Sequence, residues 1–277
     1  MKKKLILFLF LALTAVSHSE GKDNYAFFGN FFGNHKEKKE EKSLNNSSAA
    51  VEEEETGRKI PAFLEFKYID EKTKKEKTFQ IEVKPVKQGD CRPPEIAALE
   101  TAITNEKVRE KTTPMIRYYE KFFRTYLEEI SSDPEKIYRL GNQYFINRKY
   151  ERAKDIFSKN IDTADNLFGA AVTNRFLGYD LTAIDYYSEV IYMSPNISEA
   201  YLGRGICYRN IGRYKEALAD FLKYKQMKNT EEAYTALGNI YILREEYEKA
   251  KKILTEGRVL YPDSKLISDL LVRAYAK

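Results

Sequence analysis

Residues 237–262 read LGNIYILREEYEKAKKILTEGRVLYP, and this stretch decides the fold. Leu237-Gly238 is followed by Tyr241, Tyr247, Ala250, Leu254 and Pro262. The large residues recur at helical spacing on both sides of a short polar break, Arg244-Glu245-Glu246. That is the pattern of two amphipathic helices joined by a tight turn, with proline ending the second. Gly238 and Ala250 mark where two helix backbones must come close, and the aromatic and aliphatic residues fill the space beside them.

Working outward, the same pattern returns three times. An upstream copy reads Leu140-Gly141, Tyr144, Tyr150, Ala153 and Phe157, and another reads Gly205, Tyr208, Gly212-Arg213-Tyr214, Ala217 and Phe221. Between them a degenerate copy has Ala170-Ala171 for Leu-Gly and Asn174 for the first Tyr, but keeps Ala183, Tyr187 and Pro195. Ala183, Ala217 and Ala250 lie 34 and 33 residues apart, and Ala153 precedes Ala183 by 30. A period near 34 with these residue types resembles the tetratricopeptide repeat family, here in the form of an exported bacterial protein. The resemblance covers 134–277, with copies at 134–163, 164–197, 198–230 and 231–264 and a cap helix at 265–277, Leu266, Leu270, Leu271 and Tyr275 facing the fourth copy.

The resemblance implies a mainly α fold, an α-α superhelix, and a partner protein or peptide held along the concave face of the first helices. The inward positions carried over are Tyr138, Asn142, Phe145 and Ile146, then Phe168, Val172, Arg175 and Phe176. Leu202, Ile206, Arg209 and Asn210 follow, then Thr235, Asn239, Ile242 and Leu243. The expected binding set is Tyr138, Asn142, Phe145, Phe168, Arg175, Leu202, Arg209, Asn239 and Ile242. Arg175 and Arg209 are 34 residues apart, so both are expected to project onto one surface and meet an acidic group beside an apolar anchor. Some relatives grip a carboxylate with paired lysines and asparagines; Asn142 matches one place, but Tyr138 stands where the first lysine would.

Upstream of the repeats the periodicity changes. Ile60, Ala62, Leu64, Phe66 and Tyr68 alternate with polar residues, broken by Phe63; Phe79, Ile81 and Val83 alternate again after the polar stretch Asp70 to Thr78. This predicts a β-hairpin that the next helix must cover, because a lone hairpin is marginal in water. Pro93-Pro94 opens a helix expected to run to Lys111, Thr113-Pro114 stops it, and a second helix is expected from Met115 to Ser131. The module spans 58–131.

The remaining N-terminal residues read as targeting and tether. Lys2, Lys3 and Lys4 precede an apolar run of 12 residues, Leu5 to Val16, and Ser17-His18-Ser19 offers a cleavage site. The run falls short of the roughly 20 residues that span a bilayer, so 1–19 is expected to be a removed signal peptide that leaves no stable membrane span. No cysteine near that site would carry a lipid. Residues 20–57 are expected to be a disordered tether, charged at Lys36 to Lys42 and Glu52 to Glu55 and too poor in apolar surface to fold. Its tandem Phe27-Phe28-Gly29-Asn30, Phe31-Phe32-Gly33-Asn34 leaves two uses open, a docking segment or a duplication without a role.

Composition narrows the function. The chain has 277 residues and is 43% hydrophobic, enough for a packed core. The formal charge of +5 falls to about +2 without the three leader lysines, too small to imply nucleic acid. Both histidines, His18 and His35, precede the folding region, which removes histidine bases, Ser-His-Asp and Cys-His nucleophiles and histidine-ligated metals from it. Cys91 and Cys207 match no metal motif and are expected to stay unbonded, because a bridge would fold more than 100 residues of chain back on itself. No cofactor is expected. The leading expectation is an exported, non-enzymatic scaffold or adaptor of the cell envelope. A periplasmic assembly chaperone and, remotely, a hydrolase using a carboxylate pair such as Glu245-Glu246 are the alternatives.

Overall fold

The computed structural model describes residues 59–277. The expected signal peptide, tether and aromatic tandem lie outside the described residues. Strands β1 (Phe63–Ile69) and β2 (Glu76–Glu82) form an antiparallel pair in which Phe66 faces Phe79. Asp70 builds the turn: its Oδ1 accepts from the Thr73 amide at 2.7 Å and the Thr73 hydroxyl at 2.8 Å, while Lys77 donates to Oδ2 at 2.7 Å. Lys77, then Thr73, hold that carboxyl well below the usual carboxylate range. Leu64 and Phe66 are buried and Phe63 is exposed, as the broken alternation predicts.

Helix α1 (Pro94–Asn105) begins at the Pro pair, but its end and the next helix differ from expectation. Helix α2 (Arg109–Ile130) runs through Pro114 instead of starting after it. The break lies at 106–108, where Glu106 Oε1 accepts from the Lys107 and Val108 amides at 3.0 and 2.9 Å. Pro114 sits early in α2, so its missing N–H costs one helical bond, to the Glu110 carbonyl. The hairpin's cover is shared: the expected helix α1 meets β2, and α2 packs on β1. Tyr118 of α2 meets Phe66 edge-on at 5.5 Å, and Lys111 lies over the Tyr68 and Phe79 rings. The aromatic face of α2 reaches the sheet.

Four helix pairs follow: α3 (Pro134–Ile146) with α4 (Tyr150–Phe157), α5 (Ala164–Phe176) with α6 (Asp180–Met193), α7 (Ser198–Asn210) with α8 (Tyr214–Met227), and α9 (Glu231–Leu243) with α10 (Tyr247–Leu260). Asp133 and Thr163 cap α3 and α5 by accepting from the Lys136 and Asn166 amides. Ala153, Ala183, Ala217 and Ala250 are all fully buried. The glycines show why these sites stay small. A Cβ on Gly141 would lie 2.7 Å from the Phe157 ring, and one on Gly169, in the next pair, 2.4 Å from the same ring. Phe157 therefore locks its own helix pair and the following one together. At each turn between paired helices one residue is left-handed: Arg148, Gly178, Gly212 and Glu245.

Helix α11 (Lys265–Tyr275), capped by Ser264 on the Ile267 amide, closes the described array. The cap sets its phase, and the buried face is Ile267, Leu270, Leu271 and Ala274. Leu266 and Tyr275, expected to face the fourth pair, are exposed, with Lys251 lying over the Tyr275 ring at 5.1 Å. Among the described residues no helix is long and apolar enough to cross a membrane.

Candidate partner-binding face

The first helices α3, α5, α7 and α9 carry the nine residues expected to bind a partner, and the structure divides them. Phe145, Phe168 and Leu202 are buried in the repeat core. Phe145 packs against Tyr150 at 5.3 Å and Phe176 at 5.1 Å, and Phe168 meets Tyr187 edge-on at 5.9 Å. Rings enclosed in this way offer no surface to a ligand, contrary to the aromatic trough expected from spacing. Tyr138, Asn142, Arg175, Arg209, Asn239 and Ile242 are half-buried. Burial pushes the Tyr138 hydroxyl's pKa up, with Asp165 and Glu135 adding to it.

The two arginines are not equivalent in fact. Arg175 turns inward: its Nε and Nη2 are shielded from solvent, its guanidinium lies over the Phe176 ring at 4.8 Å, and its charge acts on the hydroxyl of fully buried Tyr187. Arg209 stays at the surface and donates to Asn210 Oδ1 at 3.1 Å, while Asn210 donates to Asp180 Oδ1 at 3.1 Å. Arg175 therefore does not project beside Arg209, although their equal spacing implied it. Beside them Cys207 is buried and free, its thiol pushed up by that burial; Cys91 is also free.

Two polar clusters escaped the sequence reading. Glu100 of α1 accepts from Tyr119 and Tyr144 hydroxyls at 2.8 Å each, from Arg92 at 2.7 Å and from Lys149 at 2.8 Å. Burial opposes ionisation there, but these four donors outweigh it and hold the carboxyl below its ordinary range. Gln143 of α3 adds a second tie, accepting from the Cys91 amide and donating to Asp90, both at 2.7 Å. Together they fasten the N-terminal module to the first repeat.

The other cluster lies in the third pair. Arg204 occupies the place held by Leu140 and Leu237, and Asp220 the place of Ile156 and Ile253. Arg204 grips Asp220 through two bonds of 2.9 and 2.8 Å and donates to Ser188 at 3.1 Å, tying α6, α7 and α8. Burial raises the Asp220 pKa despite that pairing. A charged pair in two columns that hold no other charge, the second copy having Ala170 and Tyr186 there, is a signal already present in the sequence.

Glu246, half of the carboxylate pair considered for hydrolysis, bonds Lys249 at 2.6 Å and is also held by Arg244. Lys249 first, then Arg244, lower its pKa, the reverse of what a general acid requires. No group of three or more His, Cys, Asp or Glu placed to hold a metal occurs among the described residues.

Successive helix pairs stacked through close glycine contacts define a helical repeat solenoid. Residues 198–231 and 231–257 match the family model described as tetratricopeptide repeat, so the third and fourth helix pairs are tetratricopeptide repeats. Hsp70-Hsp90 organizing protein 3 of Arabidopsis thaliana is 34% identical over 76 residues, 27% of this chain and only 14% of that protein. Among solved structures, YrrB, described as a TPR protein with an unusual peptide-binding site, has a TM-score of 0.49 at 24% identity, covering 66% of this chain and 92% of its own. The first TPR of Spaghetti (RPAP3) bound to an HSP90 peptide has a TM-score of 0.39 at 19% identity, covering 41% and 90%.

Proposed function

We propose that this chain is an exported scaffold of the cell envelope that holds a partner protein against the first helices of repeats three and four. The observation that carries the reading is a row of half-exposed residues at equivalent places on adjacent first helices. Ile206 matches Asn239, and Arg209 matches Ile242. Apolar side chains there supply area, Asn239 can bond a peptide backbone, and Arg209 can meet a carboxylate. The fold supplies a rigid, pre-formed surface, so little ordering cost falls on the scaffold when a partner binds.

The test is a photo-reactive residue placed singly at Ile206 or Asn239, with Glu71 on the hairpin turn as control. One dominant adduct from the two repeat positions and none from the control supports a dedicated partner. A smear of many adducts would favour a chaperone for exported clients, and equal labelling from Glu71 would sink the assignment of this face. Export rests on the leader pattern at Lys2 to Ser19. Amino-terminal sequencing of the mature protein should begin at Glu20; an intact Met1 on soluble cytoplasmic protein would refute it.

A further inference from the structure

A second surface lies on the outward side of the second helices, away from the proposed partner face. Measured from the buried alanines Ala183 and Ala250, Tyr192 and Val259 occupy the same place, nine residues on. They are 85% and 78% exposed, among the most exposed large apolar residues described. On α8 between them that place is Gln226, and the exposed apolar residue is Leu222, one turn earlier. Equivalent places on successive repeats stack side by side, so Tyr192 and Val259 flank α8 at one level, and Leu222 extends the apolar stripe between them by one turn. Exposed apolar stripes of this kind mark interaction surfaces.

The charges around the stripe say what it fits. Asp185 and Glu189 on α6 and Lys252 and Arg258 on α10 are exposed, and none of them is in an ion pair among the described residues. Glu256 on the same helix is already neutralised by Lys225 at 3.0 Å. The stripe is therefore acidic at its α6 end and basic at its α10 end. Asp185 and Lys252 again share one place, two residues on from their alanines.

We propose that this surface binds a second copy of the chain, face to face, about a two-fold axis running along α8. That axis sets α6 of one copy opposite α10 of the other, level for level. Tyr192 then meets Val259 of the second copy, Leu222 meets its own equivalent, and Asp185 meets Lys252, each unlike pair forming twice. An isologous interface requires this self-complementarity. The interface leaves the first helices free, so a dimer presents two copies of the proposed partner face.

Sedimentation equilibrium of the purified chain tests it. The wild type should dimerise, and Asp185→Lys or Lys252→Asp alone should weaken association about tenfold, because symmetry doubles the loss of one exposed pair. The double variant carrying both changes should recover most of the affinity, since the swapped charges again meet. Circular dichroism should show all three folded, as the sites are exposed. A wild type that stays monomeric at about 100 µM, or a dimer indifferent to the single changes, overturns the proposal.

Discussion

The repeat array and the N-terminal module are built on different interactions. In the array, neighbouring helix pairs meet through glycines, alanines and rings, with Phe157 wedged between Gly141 and Gly169. The module is fastened to that array at a charged crossroads, where Glu100 gathers donors from Arg92, Tyr119, Tyr144 and Lys149. Close apolar packing is insensitive to pH and intolerant of volume change. A half-buried carboxylate with four donors tolerates volume but depends on its charge. The two regions should therefore fail under different insults.

The largest expected effect tests the array. Phe157→Ala would empty the space between two pairs and should cost about 3–5 kcal/mol, read as a fall in the thermal midpoint. A loss under about 1 kcal/mol would mean the glycines, not the ring, set the stacking.

Next comes the module. Glu100→Ala should cost about 2–3 kcal/mol, because two tyrosine hydroxyls and two cations lose their acceptor. Hydrogen exchange should show lost protection in α1 and the hairpin while α9 to α11 keep theirs. The Glu100 pKa is lowered in the folded chain, so its contribution is present above the unfolded value near 4.5 and disappears as pH falls through the lower folded value. In Glu100→Gln that acid-dependent loss should be smaller than in the wild type. Equal acid sensitivity in both would break the contrast.

The third pair sharpens the comparison, since Arg204 and Asp220 place the module's kind of chemistry inside the array. Arg204→Leu alone should destabilise by about 3 kcal/mol, leaving Asp220 buried without its partner. Arg204→Leu with Asp220→Ile, which copies the first and fourth pairs, should be neutral or stabilising. A double variant as unstable as the single one would show that the polar tie to Ser188 is needed.

The smallest effect concerns the turns. Glu245 is left-handed at φ 61° where Gly178 and Gly212 hold the same place. Glu245→Gly should relieve strain and stabilise by a few tenths to about 1 kcal/mol. Destabilisation measured by urea unfolding would refute the strain.

Legibility followed the range of the interaction. The four helix pairs, the buried alanines and the hairpin's inward face could be read from spacing, because each depends on neighbours a few residues away or on the repeat itself. Helix α2 could not: Pro114 argues locally for a break, yet the Glu106 carboxylate, by taking two amides of the next turn, moved the break upstream. On α11 the expected Leu270 and Leu271 are buried, but Ile267 and Ala274 take the places expected of Leu266 and Tyr275, since the Ser264 cap sets the helix phase.

Of the expected binding residues, position was legible and orientation was not. Arg175 and Arg209 occupy matching places, but one lies inward over the Phe176 ring while the other reaches the surface. By itself the sequence determined the repeat, its period and the residues that must stay small, because helix periodicity and close backbone approach are written in residue size and spacing. Only the tertiary structure decided which side chains remain outside, where the module attaches and which charges meet. Those depend on groups brought together from helices dozens of residues apart, and no local pattern encodes their distances.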